Sequence, residues 1–103
     1  MTKDEKTYQA KVRQVGCIAC RIVLKIHSIG EIHHMLSGGR RRGEMFVLSL
    51  CPSHHRGGFS GKVSINNPMG IVSRDHSQKR FEKYVGMTED EMLAYQDNLV
   101  RWI

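Results

Sequence analysis

The sequence predicts a small α+β domain that is held together by zinc. Its 103 residues suffice for one domain, and a domain of this size is often marginally stable without a disulfide or a metal. Strand patterns lie between helical ends, and cysteine and histidine pairs have the spacing of zinc ligands. No apolar run approaches the ~18 residues of a transmembrane helix. The three cysteines cannot all pair within one chain, which argues against a secreted disulfide scaffold.

Helices are predicted over residues 2–15, 74–85 and 88–103. Thr2 with Glu5, and Thr88 with Glu91, have the spacing of capping boxes, in which a hydroxyl and a carboxylate satisfy the first backbone N–H groups of a helix. Ser73 is the candidate cap of the middle helix. We expect one domain over residues 1–103, with its core at about 12–86 and a terminal helix at about 88–103.

An antiparallel hairpin is predicted between the helices. Glu31–Leu36 and Met45–Leu50 are rich in apolar residues and read as its two strands. Arg21–Ile26 is apolar and β-branched, and it fits a strand or a helix. The glycine-rich segment 57–72 is predicted to be mostly loop, with a short strand at Lys62–Ile65.

Positive charge is concentrated in the middle of the chain. The net charge is +6, but residues 11–83 hold thirteen basic and four acidic side chains. The densest point is Arg40-Arg41-Arg42, within the loop 37–44 that joins the two strands. Guanidinium groups bind phosphates well, although such a run can also be a solvated loop. When such an arginine run lies beside a metal site, it indicates contact with a nucleic acid.

Two pairs of residues have the spacing of a structural zinc site. Cys17-x-x-Cys20 and Cys51-x-x-His54 can each supply two ligands from a tight turn. Zinc bound there would close the intervening chain into a loop and stabilise a small core. One alternative is that His55 replaces His54 as the fourth ligand. Another is that the cysteines are free thiols that pack as small hydrophobic residues.

Four further histidines form a second pattern. His33 and His34 are adjacent on a predicted strand, His55 follows the second zinc-ligand pair, and His76 lies near the start of the 74–85 helix. Imidazoles from these positions can converge on one metal ion, and a neutral imidazole can deprotonate water. Together these groups suit phosphodiester hydrolysis. Each histidine taken alone could simply pack, and His27 lies outside the pattern.

Several segments resemble an HNH endonuclease. They are Cys17-x-x-Cys20, Ile32-His33-His34 and Leu50-Cys51-Pro52-Ser53-His54-His55. The later Asp75-His76, with Phe81-Glu82-Lys83-Tyr84-Val85-Gly86, is similar to the end of the phage-encoded Ref-type recombination-enhancement nucleases. The resemblance covers roughly residues 12–86.

The resemblance implies a ββα-metal architecture, in which a hairpin and a helix surround a catalytic ion beside a structural zinc. By position, His34 would be the general base, and His33, His55 and His76 would bind the catalytic ion. Many HNH enzymes have an acidic residue at the position of His33 and an asparagine later in the motif. No asparagine lies between His34 and Cys51, so the ion could be Mg²⁺, Mn²⁺, Zn²⁺ or Ni²⁺.

The sequence thus predicts a metal-dependent DNA endonuclease of a phage, acting in the cytoplasm of a bacterial host. The resemblance also implies a host RecA filament as a partner. Neither a membrane nor a small-molecule substrate is expected. The predicted DNA contacts are basic side chains at Arg40, Arg41, Arg42, Arg74, Lys79, Arg80 and Lys83. The alternatives are a zinc-stabilised nucleic-acid-binding module without catalysis and a protein-interaction module that uses the acidic C-terminal helix.

Overall fold

The computed structural model describes residues 1–56 and 71–103, and the predicted strand at Lys62–Ile65 lies outside these ranges. The elements, in chain order, are α1 (Lys3–Val15), a π-helical turn (Cys20–Leu24), β1 (Glu31–His34), β2 (Leu36–Ser37), β3 (Arg40–Arg41), β4 (Val47–Leu50), α2 (Pro52–His55), α3 (Gln78–Val85) and α4 (Glu89–Val100). The fold is therefore α+β, as predicted. None of the described helices has the length and apolar character needed to cross a membrane.

Capping boxes start the first and last helices, as the sequence predicts. The Thr2 hydroxyl accepts the N–H of Glu5, whose carboxylate accepts the N–H of Thr2, and Thr88 and Glu91 repeat this exchange at the start of α4. Gly16 ends α1 at a φ of 80°. A Cβ atom there would lie 2.5 Å from the carbonyl oxygen of Ser28, so glycine is required by both conformation and space. The helix α4 ends three residues before the predicted boundary.

The predicted hairpin is present but divided into two small antiparallel sheets. In the first, β1 pairs with β4, so that His33 lies opposite Leu48. In the second, β2 pairs with β3 around the turn at Gly38 and Gly39, both of which have positive φ. The segment Arg21–Ile26, which fitted a strand or a helix, is not a strand: its first four residues belong to the π-helical turn, and Lys25 ends that turn.

The start of α3 differs from the prediction. The helix begins at Gln78 and is capped by Ser77, rather than running over 74–85 with Ser73 as its cap. The N–H groups of Arg74 and Asp75 donate instead to the carbonyls of His54 and His55, at 2.7 and 3.0 Å. These bonds tie the chain before α3 to the end of α2. Residues 74–76 form a turn for that reason.

The core lies between the β1–β4 pair and the helices. Its largest fully buried side chains include Phe81, Ile18, Met35, Leu48, Leu50 and Met92. Gln96 of α4 is also fully buried, and its amide accepts the N–H of Ser49 and donates to the carbonyl of Val47. These bonds satisfy backbone groups of β4 and fix α4 against the sheet.

Candidate metal centres

Three cysteines and one histidine form a compact cluster. Cys17 and Cys20 come from the chain after α1, and Cys51 and His54 come from the start of α2. The Nδ1 atom of His54 lies 3.5, 3.4 and 3.2 Å from the sulfurs of Cys17, Cys20 and Cys51, and the last two sulfurs are 3.8 Å apart. Tetrahedral zinc, with its usual bond lengths, requires about 3.8 Å between sulfurs and about 3.6 Å from sulfur to nitrogen. The cluster therefore has dimensions that fit a zinc ion.

The surroundings of this cluster also suit a metal. Cys17, Cys20 and His54 are buried, and Cys51 is half-buried. The N–H of Cys20 donates to the Cys17 sulfur, but the hydrogen bond with Cys51 and burial raise the pKa of the Cys17 thiol overall. The hydrogen bond with Cys17, followed by those with His54, lowers the pKa of the Cys51 thiol despite its burial. The outer Nε2 atom of His54 lies 2.9 Å from the hydroxyl of Tyr84, an arrangement that orients a ligating imidazole.

This group can hold a metal ion such as zinc, in line with the predicted cofactor. His54 belongs to it, whereas His55 points elsewhere, so the alternative in which His55 closes this cluster does not match the geometry. Two residues separate Cys51 from His54, and α2 turns both side chains to the same side.

A second group joins two imidazoles and one carboxylate. It consists of His33 on β1, His55 at the end of α2 and Asp75 in the turn before α3. The Nδ1 atom of His33 lies 3.2 Å from Nε2 of His55, which lies 4.0 Å from Oδ1 of Asp75. The backbone bond from Asp75 to the carbonyl of His55 places this carboxylate beside the two rings.

Each of these imidazoles has a carboxylate at its outer nitrogen. The Nδ1 atom of His55 lies 2.7 Å from Glu31, and Nε2 of His33 lies 3.5 Å from Glu89. Two arginines hold the carboxylates in turn: Arg56 binds both oxygens of Glu31, at 2.7 and 2.9 Å, and Arg74 lies 3.1 Å from Glu89. The order arginine, carboxylate, imidazole thus occurs on two sides of one site.

These contacts keep both carboxylates ionised. Burial raises the pKa of Glu31, but its hydrogen bonds with Arg56 and His55 outweigh that effect and lower the pKa overall. Burial likewise raises the pKa of Glu89, but its interactions with His33 and Arg74 outweigh burial and lower the pKa overall. An ionised carboxylate only accepts hydrogen bonds, so each neutral imidazole is best placed with its proton on the outer nitrogen.

That choice of tautomer leaves two lone pairs facing each other, on Nδ1 of His33 and Nε2 of His55. With the opposite tautomer of His33, its Nε2 lone pair would face the carboxylate of Glu89. That nitrogen is buried, and its 3.5 Å approach to Glu89 is an electrostatic contact rather than a hydrogen bond; no hydrogen-bond partner lies within the part of the chain that the structure describes. A cation held by His33, His55 and Asp75 would remove this repulsion, and an outer carboxylate is the usual neighbour of a metal-binding histidine.

His34 and His76 lie outside this second group of ligand atoms. His34 is half-buried, and its Nε2 atom lies 3.0 Å from Oε2 of Glu44. His76 is exposed, and its imidazole is hydrogen-bonded to the hydroxyl of Ser73. The sequence predicted His76 as a metal ligand, whereas the structure places the adjacent Asp75 in this group. A carboxylate directly beside a predicted ligand is the sequence feature that could have identified Asp75.

The predicted DNA contacts fall into two sets. Arg40 and Arg41 are exposed on β3, and three further basic side chains are exposed on α3, namely Lys79, Arg80 and Lys83. By contrast, Arg42 forms a 2.6 Å ion pair with Asp90 and lies 4.5 Å from the ring centre of Phe46. Arg74 is likewise committed to Glu89 and to Gln78.

These observations define a small α+β protein. Within residues 1–56 and 71–103 it has two clusters that can each hold a metal ion, one rich in sulfur and one with nitrogen and oxygen atoms. A family described as "recombination enhancement, RecA-dependent nuclease" matches residues 1–101, and the chain belongs to this family. The match confirms the resemblance to Ref-type nucleases. No curated protein and no solved structure matches the chain.

Proposed function

We propose that this protein is a metal-dependent DNA endonuclease of the HNH type, encoded by a phage and acting with a RecA filament of its host. Membership in the family of RecA-dependent nucleases supports nuclease activity in recombination. The observation that carries the metal dependence is the 3.2 Å approach of two imidazole nitrogens whose outer nitrogens face ionised carboxylates. The alternative is a zinc-stabilised module that binds nucleic acid without cutting it.

The architecture supports the HNH assignment. The strands β1 and β4 form an antiparallel pair, and α2 follows β4 directly. His33 comes from the first strand and His55 from the helix. The cysteine cluster joins the start of this helix to the chain after α1. This succession is consistent with a ββα unit supported by structural zinc.

In this proposal, His33, His55 and Asp75 hold the catalytic ion. A divalent cation held there would supply Lewis-acid stabilisation of the scissile phosphate and of the leaving oxygen. His76, which the resemblance places among the ligands, follows Asp75 directly and stays a second candidate. Glu31 lies at hydrogen-bond distance from His55, and Glu89 faces His33 at 3.5 Å, so both carboxylates favour the tautomers that offer lone pairs to a cation.

We assign the role of general base to His34. Its strand neighbour His33 is 5% exposed, whereas His34 is half-buried, because successive side chains of a strand point to opposite faces. His34 is therefore the chain neighbour of a metal ligand, and its side chain lies outside the group of His33, His55 and Asp75. Its Nε2 atom faces Glu44, which leaves Nδ1 as the nitrogen that accepts a proton from water.

Replacing His34 with alanine is expected to slow DNA cleavage by about 10²- to 10⁴-fold, the range that a general base contributes. Folding and metal content should be unchanged, since the ring contacts neither metal cluster. Nicking of a supercoiled plasmid, with a RecA filament and added Mg²⁺, Mn²⁺ or Ni²⁺, measures the rate. His27→Ala, which removes an exposed histidine outside both clusters, is the matched control. Undiminished cutting by His34→Ala would remove this residue from the mechanism.

Arg40 and Arg41 are the arginines of the basic run that we expect to contact DNA phosphates. Their joint replacement with alanine should weaken DNA binding and reduce the salt slope of log K by about two, since each phosphate contact contributes about 0.9. Fluorescence anisotropy at several salt concentrations measures both quantities. Lys3 and Lys6, exposed on the charge-balanced N-terminal helix, give a double-alanine control of equal charge. Equal effects from the two pairs would show that Arg40 and Arg41 act only through net charge.

A further inference from the structure

The side chain of Glu44, which lies between β3 and β4, contacts two elements of the fold. One carboxylate oxygen, Oε2, lies 3.0 Å from Nε2 of His34 on β1 and accepts a hydrogen bond of 2.9 Å from the side-chain amide of Gln9 on α1. The same amide nitrogen donates to the backbone carbonyl of Glu44, at 2.8 Å. Gln9 is only 3% exposed, an unusual burial for a glutamine on a surface helix. Its amide thus holds both the backbone and the side chain of one residue.

These hydrogen bonds fix the orientation of the Glu44 side chain. A solvent-facing glutamate normally samples several rotamers, because nothing holds its carboxylate. Here the hydrogen bond with His34, and then that with Gln9, lower the pKa of Glu44, so the carboxylate is ionised and can only accept. At 3.0 Å from this acceptor, a neutral His34 ring is best placed with its proton on Nε2, and the lone pair of Nδ1 then points away from Glu44.

We infer that Glu44 is a positioning residue for His34, and that Gln9 fixes Glu44 for this task. The inference rests on the proposed role of His34 as general base, and it adds two residues that touch neither substrate nor metal. Glu44 selects the tautomer of His34 and the orientation of its ring. Gln9 couples the N-terminal helix to the reaction, because α1 supplies the amide that holds the carboxylate.

A purely structural role can be separated from this one, because α1 is also tied down elsewhere. The hydroxyl of Tyr8, the residue before Gln9, donates to Asp97 of α4 at 2.6 Å. Asp97→Ala therefore removes a carboxylate that anchors the same helix but does not contact His34. It is the matched control for changes at Glu44.

The first test compares cleavage kinetics. Glu44→Ala should lower kcat by about 10- to 100-fold, less than the loss of the base itself, and leave KM for plasmid DNA unchanged. Glu44→Gln should retain most of kcat, because its amide oxygen can still accept from His34. Asp97→Ala should cut at close to the wild-type rate. Three results would each overturn the inference: a wild-type kcat in Glu44→Ala, an effect of Glu44→Ala on KM alone, or an equal loss of kcat in Asp97→Ala.

The second test does not depend on activity. Long-range ¹H–¹⁵N correlation spectra of the zinc-loaded protein report the tautomer of His34 directly. We expect the Nε2–H form in the wild type and in Glu44→Gln, and a mixture of tautomers in Glu44→Ala. A single unchanged tautomer in Glu44→Ala would overturn the inference. If the wild type cleaves DNA while Glu44→Ala matches it, only the positioning role fails; if the wild type does not cleave at all, the proposed function fails.

Discussion

Replacing Cys51 with serine is expected to unfold the protein, and to do more than abolish its activity. The variant loses one of four ligands in a cluster where His54 and two sulfurs are buried. Structural zinc contributes about 10–16 kcal/mol in zinc-finger peptides. The whole stability of a small domain is only about 5–15 kcal/mol. Loss of zinc is therefore comparable with the entire free energy of unfolding.

Zinc content by elemental analysis and a thermal melt followed by circular dichroism check this expectation together. Ser53→Ala is the matched control, since Ser53 lies on α2 between two ligands and belongs to neither cluster. It should keep one equivalent of zinc and melt cooperatively. A wild-type-like, cooperative melt of Cys51→Ser without zinc would contradict a structural role for the metal.

Replacing His55 with alanine is expected to abolish DNA cleavage while the protein stays folded and keeps its zinc. His55 contributes one of the two facing nitrogens and also holds Glu31 and approaches Asp75. Loss of an outer hydrogen-bond partner of a metal ligand typically costs about 10–100-fold in metal affinity or activity. Loss of a ligand itself should cost more than that.

Binding of Mn²⁺ by isothermal titration to the zinc-loaded protein separates this site from the cysteine cluster. The wild type should bind one further ion, and His55→Ala should bind it weakly or not at all. His27→Ala again serves as a control that removes an imidazole outside both clusters. Unchanged Mn²⁺ affinity in His55→Ala would place the second metal elsewhere.

Local sequence signals predicted much of this structure because the interactions behind them are local. A capping box needs only residues three apart, so Thr2 with Glu5 and Thr88 with Glu91 could be identified directly. The cysteine cluster was predictable for the same reason, since each pair of its residues lies within one turn. The hairpin followed from two apolar stretches joined by glycines.

What the sequence could not predict depends on contacts between distant residues. Ser73 and Ser77 both suit a helix cap, and the choice of Ser77 is made by carbonyls of His54 and His55 that capture the preceding backbone. The same bonds bring Asp75 to the two-histidine group. In sequence Arg42 cannot be distinguished from Arg40 and Arg41. Its ion pair with Asp90, 48 residues away, becomes visible only in the fold.

The carboxylates around the histidines were missed for a related reason. Glu31 and Glu89 lie far apart along the chain, and neither belongs to a metal-binding motif. Their role is visible only when each stands at the outer nitrogen of an imidazole. Residues that orient ligands have weaker spacing rules than the ligands themselves, because they act through side-chain contacts across the fold.

The central claim is that the group of His33, His55 and Asp75 makes this protein a metal-dependent nuclease. The most direct test is the rate of plasmid cleavage by the zinc-loaded wild type across a titration of Mn²⁺, with a RecA filament present. We predict no cleavage without added ion and a saturable increase in rate that is lost in His55→Ala. DNA binding without cleavage in Mn²⁺, Mg²⁺ or Ni²⁺, or cleavage that does not depend on added ion or on His55, would contradict the claim.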